Sequence, residues 1–287
     1  MTIDKLIALL TLERLEVNLF RGFNQDIGSP NVFGGQVLGQ AMAAASATVE
    51  DRAIHSFHGY FLRPGDKASP IVYDVDLIRD GGSFTTRRVV AIQHGKAIFS
   101  ASMSFQRGEE GLSHQCEMPV APPPESLSSE QEIRISMAEM LPEDQREFFV
   151  SDRPVEMRPV QPEELWSADS HPPEQMFWMR SMSAVEVPLA LHQAILAYSS
   201  DFYLMGTALR PHGKQFIRGE MQSASLDHAM WFHRPFRIDE WLLYVMDSPT
   251  ASSGRGLNFG KIYTRDGVLV ASCAQEGLIR VLSSEAK

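Results

Sequence analysis

Apolar and polar residues alternate along several segments of the chain, and this pattern predicts strands with one buried face. The clearest run is 99–105, where serines separate the apolar residues. Those apolar residues are Phe99, Ala101, Met103 and Phe105. A period of two places them on one face of a sheet. An alanine-rich segment near 35–48 instead predicts a helix, and a second helix is predicted near 187–200.

The two halves of the chain resemble each other weakly. Residues 56–64, Ser-Phe-His-Gly-Tyr-Phe-Leu-Arg-Pro, resemble 227–235, Asp-His-Ala-Met-Trp-Phe-His-Arg-Pro. Upstream, 38–42 resembles 191–195 inside the two predicted helices. Beyond each Arg-Pro come an alternating strand, a glycine- and serine-rich stretch, and two strands around a turn. Each half therefore predicts a strand, a helix and four antiparallel strands.

This order predicts an α+β fold, in which a helix buries one face of each antiparallel sheet. Two such sheets, each wrapped around a central helix and joined in one chain, form a double hotdog. We place the N-terminal hotdog at 1–107, a linker at 108–165 and the C-terminal hotdog at 166–287.

The linker differs in composition from both halves, because prolines cluster near its start. Residues 128–132, Ser-Ser-Glu-Gln-Glu, form a capping-box pattern that predicts a polar helix ending at about Leu141. We interpret the segment as a structured linker; a partly disordered tether is the alternative.

Composition and charge narrow the class of function. The chain has 287 residues, of which 44% are hydrophobic and 22% charged, as expected for a globular protein. A net charge of −10 argues against a nucleic-acid partner, since such proteins present a basic face to phosphate. Any polyanionic ligand therefore requires a local basic patch.

Cysteine use and the chain ends predict a cytoplasmic protein. Cys116 and Cys273 are the two cysteines, and no CxxC motif is present, which favours a reducing compartment. We find no signal peptide after Met1, no apolar run of membrane-spanning length and no C-terminal Ser-Lys-Leu signal. We therefore expect no membrane insertion.

Several well-known catalytic motifs do not occur in the sequence. There is no GxSxG, HExxH or Walker loop and no zinc-ligand cluster, so we predict neither a metal nor a cofactor. The glycine-rich segment 254–260 lacks the GxGxxG spacing and leads into a predicted strand, so we interpret it as a turn or bulge.

Five longer motifs are more specific, and together they resemble the signatures of the type II acyl-CoA thioesterases. The resemblance covers roughly residues 5–280 and keeps the family's order. The motifs are Asn-Val-Phe-Gly-Gly-Gln-Val at 31–37, His-Ser-Phe-His at 55–58, Tyr-Phe-Leu-Arg-Pro-Gly-Asp at 60–66, Asp-His-Ala-Met-Trp-Phe-His-Arg-Pro at 227–235 and Gln-Glu-Gly at 275–277.

The resemblance implies an enzyme that hydrolyses acyl-CoA with an activated water. In the family, an aspartate on the second helix, a threonine or serine entering the next strand and a glutamine on the last strand hold this water. The matching residues here are Asp201, Ser225 and Gln275. Serine replaces the commoner threonine and keeps the hydroxyl. Asp201 is the ionisable member, so it is the predicted general base.

The repeat provides an independent test of these three residues. In the first half their counterparts are Thr48, Ile54 and Met103. The second half is therefore polar where the first is neutral or apolar. An amide on an inward strand face costs stability unless it is hydrogen-bonded. We predict one catalytic site per chain, in the second half.

Substrate contacts are predicted at several further positions. Gly34 and Gly35 at the start of the first helix would let an acyl carbonyl approach the backbone N–H groups. An apolar tunnel between helix and sheet would hold the acyl tail, with coenzyme A outside. Arg63, Arg87 and Arg88 are candidates for contacts with its phosphates.

Histidine and cysteine chemistry is less favoured. His58 and His228 lie one position out of register in the repeat and are interpreted as structural residues. His192 lies nine residues before Asp201, on the opposite face of the helix. Cys273 has no adjacent basic residue to activate its thiol.

Two other functions remain compatible with a hotdog fold. The first is a hydratase acting on acyl-CoA or acyl carrier protein, which requires a histidine paired with a carboxylate. The second is a module that binds acyl-CoA without turnover. In each case the exposed edges of hotdog sheets favour association, and we expect a homodimer or homotetramer.

Overall fold

The computed structural model describes residues 1–140, 143, 146, 149–165, 167, 169–213 and 221–282. Within these residues the α-helices are α1 (Ile3–Leu10), α2 (Gly34–Ser46), α3 (Glu130–Met137) and α4 (Leu189–Ser200). The 3₁₀-helices are Pro124–Ser126, Ala138–Met140, Pro162–Glu164 and Met205–His212.

Strands lie on both sides of the linker. Before it are β1 (Glu13–Glu16), β2 (Leu19–Gly22), β3 (Ala53–Phe61), β4 (Ile71–Asp80), β5 (Phe84–Gln93) and β6 (Lys96–Gln106). From the linker onward are β7 (Val155–Pro159), β8 (Glu174–Ser181), β9 (Met221–Ser225), β10 (Asp227–Phe232), β11 (Leu242–Ser252), β12 (Arg255–Thr264) and β13 (Leu269–Val281).

The repeat predicted from the sequence is confirmed by the order of these elements. The first half runs β2, α2, β3, β4, β5, β6, and the second runs β8, α4, β10, β11, β12, β13. The short strand β9 precedes β10 and also pairs with β13. Both central helices lie where the sequence predicts them. The fold is the predicted α+β double hotdog.

A single antiparallel sheet joins the two halves. Its strand order is β1-β2-β4-β5-β6-β3-β10-β13-β12-β11-β8-β7. The halves meet where β3 pairs with β10, from Tyr60 opposite Asp227 to Ser56 opposite Trp231. These two strands are equivalent in the repeat, so the junction lies on the pseudo-twofold axis. The hotdog sheets are thus joined side by side, and buried residues of both halves form one core cluster.

The two central helices contact each other closely because α2 carries glycine at the contact. A Cβ atom at Gly35 would lie 2.3 Å from the Tyr198 carbonyl oxygen. One at Gly39 would lie 2.9 Å from the Ala194 carbonyl oxygen. Real Cβ atoms do not approach backbone this closely, so larger residues at either position would force the helices apart. Glycine in α2 therefore sets the distance between the two hotdog helices.

Equivalent glutamines tie each helix to neighbouring backbone. The Gln40 amide donates to the carbonyl oxygens of Leu9 and Phe23, both at less than 3 Å, and its oxygen accepts from the Tyr73 hydroxyl. In the second half, the Gln193 amide donates to the Ile54 carbonyl oxygen at 2.9 Å. Buried amides need such partners. The repeat thus extends to polar contacts inside the core.

The described part of the linker contacts the second half. Its helix α3 begins after Ser129, and a complete capping box with Glu132 is present, as the sequence predicts. The helix ends at Met137 and a 3₁₀ turn follows; the predicted end at about Leu141 lies outside the described residues. Nearby, the Trp178 indole donates to the Pro122 carbonyl oxygen at 2.8 Å. In the described part of the chain, no helix combines the length and apolar character needed to cross a bilayer.

Candidate active site

Three side chains that lie far apart in sequence meet at one end of α4. Asp201 directly follows this helix, Ser225 ends β9, and Gln275 lies on the inward face of β13 and is fully buried. The Gln275 Nε2 atom donates to Asp201 Oδ1 at 2.7 Å and to Ser225 Oγ at 3.0 Å. The structure therefore brings together the three residues that the sequence selects.

The Asp201 carboxylate also connects the two halves of the chain. Its Oδ2 atom accepts a hydrogen bond from the Gly35 N–H at 2.8 Å. Asp201 thus directly follows one helix and lies at the first turn of the other. The carbonyl end of α4 disfavours an anion, whereas the amide end of α2 favours one. The second helix therefore offsets the unfavourable dipole of the first.

Gly34 makes this arrangement possible. A Cβ atom at Gly34 would lie 2.6 Å from Asp201 Oδ2. Any larger residue would push the carboxylate away from the start of α2. The predicted close approach at Gly34 and Gly35 is therefore occupied, in this structure, by Asp201 and by the Tyr198 carbonyl oxygen.

Burial and hydrogen bonding act in opposite directions on this carboxylate. Burial raises the pKa of Asp201 above its ordinary value of 3.8. Hydrogen bonds from Gln275, the Gly35 N–H and Ser225 lower the pKa, but the net shift remains upward. A carboxylate with a raised pKa is a stronger proton acceptor than an ordinary aspartate. Asp201 is therefore able to accept a proton.

The orientation of the Gln275 amide leaves an acceptor in the site. Both amide protons are directed to Asp201 and Ser225. The amide oxygen is buried and has no hydrogen-bond partner among the described residues. A buried acceptor of this kind binds an O–H donor favourably. Gln275 can therefore fix the carboxylate with one end of its amide and orient a hydroxyl or water with the other.

Asp201 lies between two cavities. The first cavity, about 430 Å³, has apolar walls that include Phe33, Val37, Phe61, Ile98 and Phe99. The second cavity, about 380 Å³, includes Leu165, Phe202, Tyr203, Leu209 and Arg153. Met205 lines both. The carboxylate is therefore accessible from two separate spaces.

The three predicted arginines lie in different environments. Arg63 lines the first cavity, and its guanidinium donates to the Ala97 carbonyl oxygen. Arg88 lies on the exposed face of β5 and pairs with Asp76 at 2.9 Å. Arg87 points inward and is 3% exposed. The structure brings Arg63 to the site, whereas neither Arg87 nor Arg88 lines the two cavities.

Arg87 instead fills the place that corresponds to the site in the first half. It pairs across β5 and β6 with Met103, as Asn258 pairs across β12 and β13 with Gln275. Its guanidinium donates to the Thr48 hydroxyl at 3.0 Å and to Asp80 Oδ1 at 2.7 Å. The first half therefore holds a buried cation beside Thr48, the counterpart of Asp201.

The histidines and Cys273 are not arranged for catalysis. His228 Nε2 lies 3.0 Å from Ser200 Oγ, and burial lowers the pKa of His228 to about 3, so the ring is neutral. His58 lies on the exposed outer face, against the Trp231 ring. Burial raises the pKa of the Cys273 thiol to about 12, which leaves it protonated. Among the described residues, no three His, Cys, Asp or Glu side chains are grouped as a metal site.

Two sequence-family models match the chain. One, described as acyl-CoA thioesterase, matches residues 144–278, and the other, described as acyl-CoA thioesterase N-terminal domain, matches 24–106. The Haemophilus influenzae protein named Acyl-CoA thioesterase 2 is 42% identical over 97% of this chain and 98% of its own length. This chain belongs to the acyl-CoA thioesterase family.

Other members of the acyl-CoA thioesterase family show the same extent of similarity. The human protein named Acyl-coenzyme A thioesterase 8 is 42% identical over 96% of this chain and 88% of its own length. The crystal structure of acyl-CoA thioesterase II TesB2 from Mycobacterium marinum is 44% identical, with a TM-score of 0.79, and the match covers 98% of this chain and 99% of that one. The structural match therefore extends over nearly the whole chain.

Some residues around the candidate site were not found from the sequence. Phe33 packs against Tyr198 and Phe202 with ring centroids 5.2 and 4.6 Å apart, next to Asp201. Met205 lies between the two cavities. No sequence pattern distinguishes an aromatic residue or a methionine that lines a site from one that lies in the ordinary core. Phe33 does lie inside a family motif, which was the available signal.

Gly34→Ala should lower activity without unfolding the thioesterase. The new Cβ would displace the Asp201 carboxylate, and misplacing a catalytic group by about 1 Å costs roughly 10² in rate. Helix propensity favours alanine, so thermal stability should be kept. Gly82→Ala is the matched control, because a Cβ there meets nothing within 4 Å. Equal kcat values for the two variants would show that Asp201 tolerates displacement.

The pH profile should report the raised pKa of Asp201. Asp201 can accept a proton only when it is ionised. We therefore expect kcat/KM to fall as the pH drops through the pKa of Asp201, which lies above 3.8. Ser225→Ala removes a hydrogen bond that lowers this pKa, so its acidic limb should move to higher pH and its rate should fall. Ser225→Thr keeps the hydroxyl and should resemble the parent. An unmoved limb in Ser225→Ala would limit Ser225 to a structural role.

Proposed function

We propose that this chain hydrolyses acyl-CoA thioesters to a free acid and coenzyme A. The observation that carries the proposal is the Asp201 carboxylate, held by Gln275 and by the Gly35 N–H between two cavities. Family membership supports the substrate class. Hydrolysis of a thioester requires a positioned water, a proton acceptor and a space for each arm of the substrate. The carboxylate, its polar neighbours and the two cavities are suited to these three tasks.

In the proposed mechanism, Asp201 accepts a proton from water as the water oxygen attacks the thioester carbonyl. The Gln275 oxygen and the Ser225 hydroxyl orient this water; neither takes its proton. When the carbon–sulfur bond breaks, the coenzyme A thiolate takes the proton from Asp201. The carboxylate is then restored and the acid is released.

A thioester has two arms, and the two cavities provide a place for each. The carbonyl carbon would lie beside Asp201, with the acyl chain in one cavity and the pantetheine arm in the other. Met205, which lines both, would contact the substrate close to the reacting bond. This placement keeps both arms out of the way of the attacking water.

We propose a single catalytic site in each chain. Thr48, Ile54 and Met103 replace the acid, hydroxyl and amide in the first half, and Arg87 occupies the interior beside them. The counterpart of Gly35 is Pro188, which has no N–H to donate. The pseudo-symmetric position therefore lacks the base and also the helix N–H that holds it.

The hydratase and the non-catalytic module would give different results from a thioesterase in an assay for free thiol. A hydratase would use a histidine with a carboxylate, whereas the side chains that hydrogen-bond to Asp201 are an amide and a hydroxyl. Continuous detection of free thiol from a panel of acyl-CoAs separates all three functions. Only the thioesterase releases coenzyme A at every turnover.

Assembly and location are part of the same proposal. We propose a homodimer or homotetramer in the cytoplasm. Among the described residues, the outermost strands β1 and β7 each pair with one neighbour and thus leave a free sheet edge, which favours association. Both Cys116 and Cys273 are free thiols, in keeping with a reducing compartment.

Asp201→Asn should leave folding and acyl-CoA binding intact while it removes the proton acceptor. Loss of a general base costs about 10²–10⁴ in rate, or roughly 3–5 kcal/mol in the barrier. Gln275→Ala should lose a comparable amount, and the double variant should fall little further, since the residues act on one water. Steady-state kcat with folding checked by circular dichroism measures this. Near-parental kcat in Asp201→Asn would refute the mechanism.

Filling the two cavities one at a time should distinguish the acyl arm from the pantetheine arm. Ile98 lines the first cavity and Leu165 the second, so Ile98→Phe and Leu165→Phe form a matched pair. One variant should shift the preference toward shorter acyl chains, and the other should lower kcat/KM for all chain lengths alike. The measurement is kcat/KM across a series from short to long acyl-CoAs. Identical effects of both variants would contradict a separate cavity for each arm.

A further inference from the structure

The turn after α4 holds a side chain in an unfavourable backbone conformation. Tyr203 lies two residues after Asp201 and has a φ of +64°. A non-glycine residue pays a steric penalty in this left-handed region, and the conformation persists only where its surroundings fix it. Something must therefore hold Tyr203, and through it the direction in which the chain leaves Asp201.

The linker supplies the contact that holds Tyr203. The Tyr203 hydroxyl donates to the carboxylate of Glu130, the first residue of α3. Its ring stacks on Phe177 with centroids 4.4 Å apart. The Gln175 amide donates to its backbone carbonyl oxygen at 2.9 Å. The hydroxyl, ring and backbone of Tyr203 are thus each fixed by a different partner.

Glu130 is itself held by two arginines. It is 2% exposed, with Arg153 Nη1 at 2.9 Å and Arg134 Nε at 3.6 Å from its Oε1 atom. Arg134 is 3% exposed and also donates to the Ser151 carbonyl oxygen at 3.1 Å. A buried charge cluster of this kind adds little net stability, because desolvation offsets the attraction between the charges. The cluster instead fixes geometry, because hydrogen bonds between ionised groups are strong and directional.

The same cluster fixes the residue between Asp201 and Tyr203. The Arg153 guanidinium lies over the Phe202 ring, 5.2 Å from its centroid. Phe202 also contacts Phe33, which immediately precedes α2 and its Gly35 N–H. The linker therefore acts on both residues that follow Asp201. One of them connects directly to the helix end that binds the carboxylate.

We propose that the linker is a positioning element of the active site, in which Glu130, held by Arg134 and Arg153, fixes Tyr203 and thereby aims Asp201 at the start of α2. The inference rests on the proposed role of Asp201 as the general base. It gives the polar helix α3 a function that neither hotdog unit contains. Tyr203 and Glu130 are positioning residues and take no part in proton transfer.

Tyr203→Phe tests this inference, because it removes the hydroxyl and keeps the ring that stacks on Phe177. Asp201 should then lose part of its contact with Gly35 and Gln275, which lower its pKa. We expect kcat to fall about tenfold or more. The acidic limb of kcat/KM should move to higher pH. A purely structural tyrosine would not move that limb.

Tyr263→Phe is the matched control. Tyr263 is a buried tyrosine of the same half, and its hydroxyl also contacts the linker, at Cys116 Sγ 3.1 Å away. It lines neither cavity. Both variants should lose a similar small amount of thermal stability, whereas kcat and the acidic limb should change only in Tyr203→Phe.

The outcomes separate the inference from the proposed function. If Asp201→Asn is inactive but Tyr203→Phe matches Tyr263→Phe in kcat and acidic limb, the linker does not position the base and the inference is wrong. A lower kcat without a shift of the limb would likewise overturn it. If Asp201→Asn keeps parental activity, the proposed mechanism fails first, whatever Tyr203→Phe does.

Discussion

The hydrogen bond between the Gly35 N–H and the Asp201 carboxylate is the contact on which the site depends. It places a buried anion beyond the carbonyl end of one helix and beside the amide end of another. That geometry requires two helices in close contact, and therefore glycine in α2. It also requires both hotdog halves, held side by side by β3 and β10. One polar contact thus explains why neither half contains the site alone.

Because this arrangement uses one helix end from each half, a duplicated chain has room for two such arrangements, and the acid, hydroxyl and amide meet at one of them. The second half keeps the acid, hydroxyl and amide, while the first half supplies Gly35. At the reciprocal position, the interior is occupied by Arg87 with Thr48, and Pro188 removes the N–H. The first half therefore contributes the N-terminus of α2, and the second half contributes the polar side chains.

The linker completes this division of roles. Its helix begins with a capping box whose Ser129 and Glu132 fix the first turn, so that Glu130 projects toward the turn after α4. Buried charges are retained there despite their desolvation cost. The cluster of Glu130, Arg134 and Arg153 is best understood through the strained Tyr203 backbone that it holds.

Local patterns in the sequence determined the order of strands and helices, because periods of two and 3.6 residues report which face is buried. The repeat then related β3 to β10, and its asymmetry, with the family motifs, selected Asp201, Ser225 and Gln275. Tertiary structure alone decided that Asp201 binds Gly35, 166 residues away, that Arg87 is buried, and that Glu130 reaches Tyr203. The segments that these contacts join lie far apart in the sequence, and their spacing follows no regular period. They follow from how the two halves and the linker pack, which no local pattern encodes.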